Sequence, residues 1–141
     1  MKYINILVVS LTLVSCSDDN VGNLCGDYLS LKLNQSKTVA IGENVEASFL
    51  VVRVEDNRCP EDVVCIRAGE VFVDLKVNNS EVLNFCLGDC IERNKGYLQA
   101  DTIATEVNNQ DFKLVLRAVN SYPSSKDIMP QTACFEVLLM E

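Results

Sequence analysis

Seven cysteines and a complete lack of histidine bound the chemistry open to this 141-residue chain. Cys25, Cys59, Cys65, Cys86, Cys90 and Cys134, with Cys16 near the start, are its candidate nucleophiles, metal ligands and disulfide formers. Two close pairs stand out: Cys59-Pro-Glu-Asp-Val-Val-Cys65 and Cys86-Leu-Gly-Asp-Cys90. Neither has the C-x2-C spacing of a zinc ribbon, and no imidazole is available to complete a site, so no metal is expected there. Without histidine neither a Ser-His nor a Cys-His pair can be built. Ser30 to Leu33 does not supply the Ser-x-x-Lys pattern, and no spacing isolates two acids as a catalytic pair. Glu55, Asp56, Glu61, Asp62 and Glu70 surround the first cysteine pair, but they lack EF-hand spacing and read as a solvated acidic rim. The expectation is a protein that is not an enzyme and carries no cofactor.

Leu13-Val14-Ser15-Cys16 closes the apolar run Ile4 to Val14, which follows a minimal positive start at Lys2. That run is well short of the roughly 20 residues needed to cross a bilayer and has the length of a signal-peptide core. The four residues resemble the lipobox of bacterial lipoprotein precursors. The resemblance implies cleavage before Cys16, lipid attachment to its sulfur, and a durable anchor, because two or more acyl chains hold where one does not. Residues 1–15 are then a signal peptide and residues 16–24 a polar tether. Ser17-Asp18-Asp19 resembles the surface-export signal of Bacteroidetes-type lipoproteins, which places the protein at the outer membrane, exposed on its outer face.

Assigning Cys16 to lipid leaves an even set of six cysteines in an oxidising compartment. Six thiols pair in 15 ways, and spacing narrows the choice. Pro60 lets Cys59 and Cys65 meet, Gly88-Asp89 forms a bend between Cys86 and Cys90, and Cys25 remains for Cys134. The last bridge would close a loop of about 110 residues, worth roughly 4–5 kcal/mol by loop-closure entropy.

These cysteines need a frame, and the patterning says which. Val71, Val73, Leu75 and Val77 alternate with Asp74 and Lys76; Phe112, Leu114, Leu116 and Ala118 alternate with Lys113 and Arg117. Leu29, Leu31 and Leu33, and Phe135, Val137 and Leu139, do the same. Period-2 alternation predicts half-buried strands. Further strands are expected over 37–41, 45–54, 81–87 and 97–107, with turns at Asn34-Gln35-Ser36, Gly42-Glu43-Asn44, Asn78-Asn79-Ser80, Asn94-Lys95-Gly96 and Asn108-Asn109-Gln110. About eight strands over residues 25–141 predict an antiparallel β-sandwich, or alternatively a small closed barrel. Any helix is expected as a single turn near 60–64 or 124–129. The chain carries 12 Lys and Arg against 20 Asp and Glu, a net charge of −8. With no basic stripe to replace counterions, nucleic acid is excluded as a partner.

The stretch Val54-Glu-Asp-Asn-Arg-Cys-Pro-Glu-Asp-Val-Val-Cys-Ile-Arg-Ala-Gly-Glu70 resembles small Bacteroidetes-type lipoproteins in which D-S-R-C-P, a spacer and C-x-W-A-G precede a strand. Here Asn57 stands for the serine and Arg67 for the tryptophan. The resemblance implies a disulfide-looped β-domain and carries no activity. Arg58, Pro60 and Arg67 mark this loop as a candidate interaction loop, pre-organised by its bridge, with the two arginines as anchors. Asp101-Thr102-Ile103 resembles an acceptor motif for O-glycosylation at Thr102. The role expected is a lipid-anchored, non-catalytic binding module with an envelope or extracellular partner. The alternatives are an assembly subunit of an envelope complex and an inhibitor of exported hydrolases.

Overall fold

Nine strands run through the described residues. In the computed structural model, which describes residues 24–79 and 81–140, they are β1 (Leu29–Lys32), β2 (Ser36–Gly42), β3 (Val45–Asp56), β4 (Glu70–Val77), β5 (Glu81–Cys90), β6 (Gly96–Leu98), β7 (Asp101–Val107), β8 (Gln110–Asn120) and β9 (Thr132–Leu139). The leader, Cys16 and nearly all of the tether lie outside the described residues. The strands form two antiparallel sheets, ordered β1-β9-β8-β7 and β2-β3-β4-β5-β6, which face each other as a sandwich and do not close into a barrel.

Alternation explains the core. Phe49 and Val51 from β3, Val71, Val73 and Leu75 from β4, and Phe85 from β5 point inward from one sheet. They meet Leu31, Phe112, Leu114, Leu116 and Phe135 from the other. The aromatic rings interlock edge-on across the layers, Phe49 with Phe112 at 6.1 Å and Phe85 with Phe135 at 5.2 Å between centroids. That geometry suits the ring quadrupole and adds to the area buried.

The turns follow from asparagine. Asn34, Asn44, Asn78, Asn79, Asn94, Asn108 and Asn109 all take positive φ. Asparagine tolerates that region through its short polar side chain, and paired left-handed residues are what a tight hairpin requires. Each of the five expected turns contains at least one of these residues.

Two expectations are revised. Residues 97–107 are two strands in different sheets: β6 ends at Leu98 and β7 begins at Asp101. The corner is held by Asp101, whose buried carboxylate accepts the Cys86 backbone N–H at 3.0 Å and Lys95 Nζ at 2.8 Å. The motif-like Asp101 is therefore a structural corner post, while Thr102 beside it is exposed on the edge strand β7. Neither 60–64 nor 124–129 is helical; the helical turn among the described residues is a 3-10 segment, Ile91–Arg93.

The cysteines pair as Cys25–Cys134, Cys59–Cys65 and Cys86–Cys90. The last does not pin a loop between strands. Both its cysteines lie on β5, and Cys86 and Cys90 cover Phe72 on the outer face of the sheet, in a small cluster joined by Leu98. Arg93 closes it from above, 4.8 Å over the Phe72 ring.

Candidate functional site

Two long connections emerge at the same end of the sandwich: residues 57–69 between β3 and β4, and residues 121–131 between β8 and β9. The first continues its parent strands for a short distance. Asn57 N–H bonds the Glu70 carbonyl at 2.8 Å and Cys59 N–H the Ala68 carbonyl at 2.7 Å. Gly69 makes this neck possible, because at its φ of 73° a Cβ would sit 2.1 Å from the Asn57 carbonyl oxygen. Beyond the neck the Cys59–Cys65 bridge closes the tip, inside which Val63 N–H bonds the Pro60 carbonyl at 3.2 Å.

The two loops are tied to each other. Asp62 accepts the Ser125 backbone N–H at 2.9 Å and its hydroxyl at 2.5 Å. Glu61 N–H bonds the Pro123 carbonyl at 3.2 Å. At the base, Asp56 is gripped by Arg58 through Nε at 2.8 Å and Nη2 at 2.5 Å, and also accepts the Gln131 side-chain amide. The Arg58 guanidinium lies 4.3 Å from the centroid of the Tyr122 ring. Hydrogen bonds from Ser125 hold the Asp62 carboxyl below its ordinary value of 3.8, the hydroxyl contributing most.

This frame presents apolar side chains to water. Val64, Ile66 and Ile128 are 102, 105 and 104% exposed, and Val63, Met129 and Tyr122 are also exposed. Single exposed apolar residues are ordinary; here several stand on two tied loops at one end of the sandwich.

The candidate residues read from the sequence separate here. Arg58 faces inward with a side chain 10% exposed, so it positions the loop and is not an available anchor. Arg67 does face solvent, with a distant 3.7 Å contact to Asp89. Pro60 shapes the turn inside the bridge. The acids are not gathered into one place: Glu55 pairs with Arg53, Asp56 with Arg58, and Asp62 with Ser125. Among the described residues no group of three His, Cys, Asp or Glu is placed to hold a metal ion.

The apolar tip residues were not singled out in the sequence. A signal was there: Val63, Val64 and Ile66 break the alternation inside a loop too short to bury them, and Ile128-Met129 interrupts a polar connection. A shallow groove of about 780 Å3 lies elsewhere, on the flank where β1 covers only part of β9, lined by Tyr28, Lys37, Val39, Val137 and Leu139. It contains none of the tied residues. Comparison with protein-family profiles, with curated proteins and with solved structures finds no match to this chain.

Proposed function

We propose that this protein is a lipid-anchored lipoprotein of the cell envelope, held at the outer membrane surface through Cys16, whose β-sandwich is a non-catalytic interaction module acting through loops 57–69 and 121–131. The observation that carries this reading is the exposure of Val64, Ile66 and Ile128 on loops closed by a disulfide, a buried ion pair and cross-loop hydrogen bonds. Ordering a backbone costs about 1–2 kcal/mol per residue, and aliphatic groups left in water return none of it within the monomer. Burial against a partner supplies about 1.5–3 kcal/mol for each aliphatic side chain. The frame also lowers the cost of binding, because the loops are ordered beforehand.

The lipobox-like Leu13-Val14-Ser15-Cys16 supports the anchor, and the acidic residues after it support export to the outer face. The Arg58-Cys59-Pro60 and Cys65-Ile66-Arg67-Ala68-Gly69 segments support membership of the Bacteroidetes-type lipoprotein group. The test is to recover the protein from its native membranes in mild detergent beside the variant V64D/I66D/I128D. Intact mass is expected to show an acyl adduct on Cys16 in both, with a co-purifying envelope component in the first and its loss from the second. An unmodified Cys16, or identical co-purification by the two chains, contradicts the proposal.

A further inference from the structure

The chain enters the sandwich at the same end as the tied loops. Asn120 Nδ2 donates to the Leu24 carbonyl at 2.7 Å, and Asn120 is the last residue of β8, immediately before loop 121–131. Cys25 is bridged to Cys134 near the start of β9, where the same loop ends. Leu24 is thus fixed beside the root of the loop carrying Ile128 and Met129. Ser17 to Asn23 alone separate it from Cys16. Fully extended, that stretch spans at most roughly 26–29 Å. The hairpin turns at 43–44, 78–79 and 108–109 lie at the opposite end, roughly 36 Å away along β3.

We propose that the loop tip docks on the lipid bilayer that holds the Cys16 anchor, seating Val64, Ile66 and Ile128 among headgroups and upper acyl chains. This deepens the interaction reading above and rests on its anchor. A tether alone leaves a domain free to face any direction. Here the short tether leads into Leu24 at the root of the loop that carries Ile128, at the same end as the apolar tip, so the tip is the part of the domain held toward the surface and its insertion fixes the orientation. The form of the tip favours lipid over a protein partner. Protein hot spots are packed, partly sheltered residues ringed by neutral contacts that exclude water. Free-standing aliphatic side chains with no shelter suit a fluid interface that closes around each of them.

The surrounding charges suit a shallow seat. Asp62 is turned onto Ser125, and the exposed Glu61 and Asp127 are interspersed with Arg67 and Lys126, so the rim carries both signs. In the docked state the far turns, including Glu43, point away from the membrane.

The chain has no tryptophan, so one introduced indole reports its own surroundings. Cys16 is the one cysteine outside the three disulfides. The mature chain, carrying I66W or E43W, is coupled through Cys16 to a maleimide-bearing lipid in phosphatidylcholine–phosphatidylglycerol vesicles, with and without brominated phosphatidylcholine. Brominated lipid is expected to quench I66W at least twofold, with a blue-shifted emission, and to leave E43W unchanged. An unquenched I66W overturns the proposal and directs the tip to a protein partner. Equal quenching at both positions overturns it too, since no defined face then meets the membrane. The chemical coupling makes this result independent of native acylation, which the intact mass of native protein decides separately.

Discussion

Arg58 engages Tyr122 and Asp56 at once: its guanidinium lies 4.3 Å from the centroid of the Tyr122 ring while two of its nitrogens grip Asp56. One residue from loop 57–69 thereby fixes a residue of loop 121–131 to the end of β3. The ion pair is nearly dry, with side chains 10 and 6% exposed. Removing Arg58 strands the Asp56 carboxylate with the Gln131 amide as its remaining side-chain donor. R58A is expected to cost about 3–5 kcal/mol. R58K should recover only part of that, because an ammonium cannot reproduce the two-pronged contact. Y122A, which removes a half-exposed ring, should cost about 0.5–1 kcal/mol. Urea unfolding of the three variants checks the order.

The bridges should separate global stability from presentation of the tip. Cys25–Cys134 spans 109 positions, so C25S/C134S is expected to lose about 4–5 kcal/mol by loop-closure entropy. Cys59–Cys65 spans 6, and C59S/C65S should lose about 2 kcal/mol globally. The second variant should nevertheless show much faster amide exchange at Ser125, whose N–H is held by Asp62 inside the same small loop. Unfolding midpoints and hydrogen exchange together separate the two effects.

Acid should loosen the loop pair. The folded-state pKa of Asp62 is lowered by its hydrogen bonds from Ser125, so the unfolded chain takes up this proton first. The tie then contributes fully above the ordinary aspartate value of 3.8 and is lost as pH falls through the lower, folded value. The Ser125 amide resonance is expected to titrate below pH 3.8, and S125A should move the Asp62 titration up toward the ordinary value, with the backbone N–H at 125 retaining part of the lowering. A Ser125 resonance that shifts at or above that value contradicts the assignment.

Gly69 should be irreplaceable for steric reasons. A Cβ there meets the Asn57 carbonyl oxygen at 2.1 Å, on a backbone already at positive φ. G69A is expected to cost more than about 1 kcal/mol. G26A, with positive φ but open space around it, should cost less. Thermal melts of the pair give the comparison.

Much of the frame was legible because it rests on local rules. Alternation at Val71, Val73, Leu75 and Val77 fixes which face of β4 is buried, and asparagine at 78–79 and 108–109 fixes the hairpins. The pairing of cysteines also followed spacing, since short intervals leave few alternatives. What failed were features decided by distant partners. The corner at 99–100 depends on the Asp101 carboxylate accepting the Cys86 backbone N–H and Lys95 Nζ, a pairing that alternation does not reveal. Arg58 looked like a free anchor because its Tyr122 contact lies more than sixty residues away. The apolar tip was hidden for a different reason: residues 59–65 read only as a bridge-closed loop, and it takes the neck at 57–69 to show Val64 and Ile66 held away from the core.

Loops 57–69 and 121–131 are proposed as the surface through which the domain meets its partner. The most direct measurement places a photo-crosslinking side chain at Val64 in one chain and at Glu43 in another, each expressed in the native host and irradiated in intact cells. Position 64 is expected to yield a defined lipid or protein adduct that position 43 does not. Adducts absent from both positions, or equal at both, contradict the account.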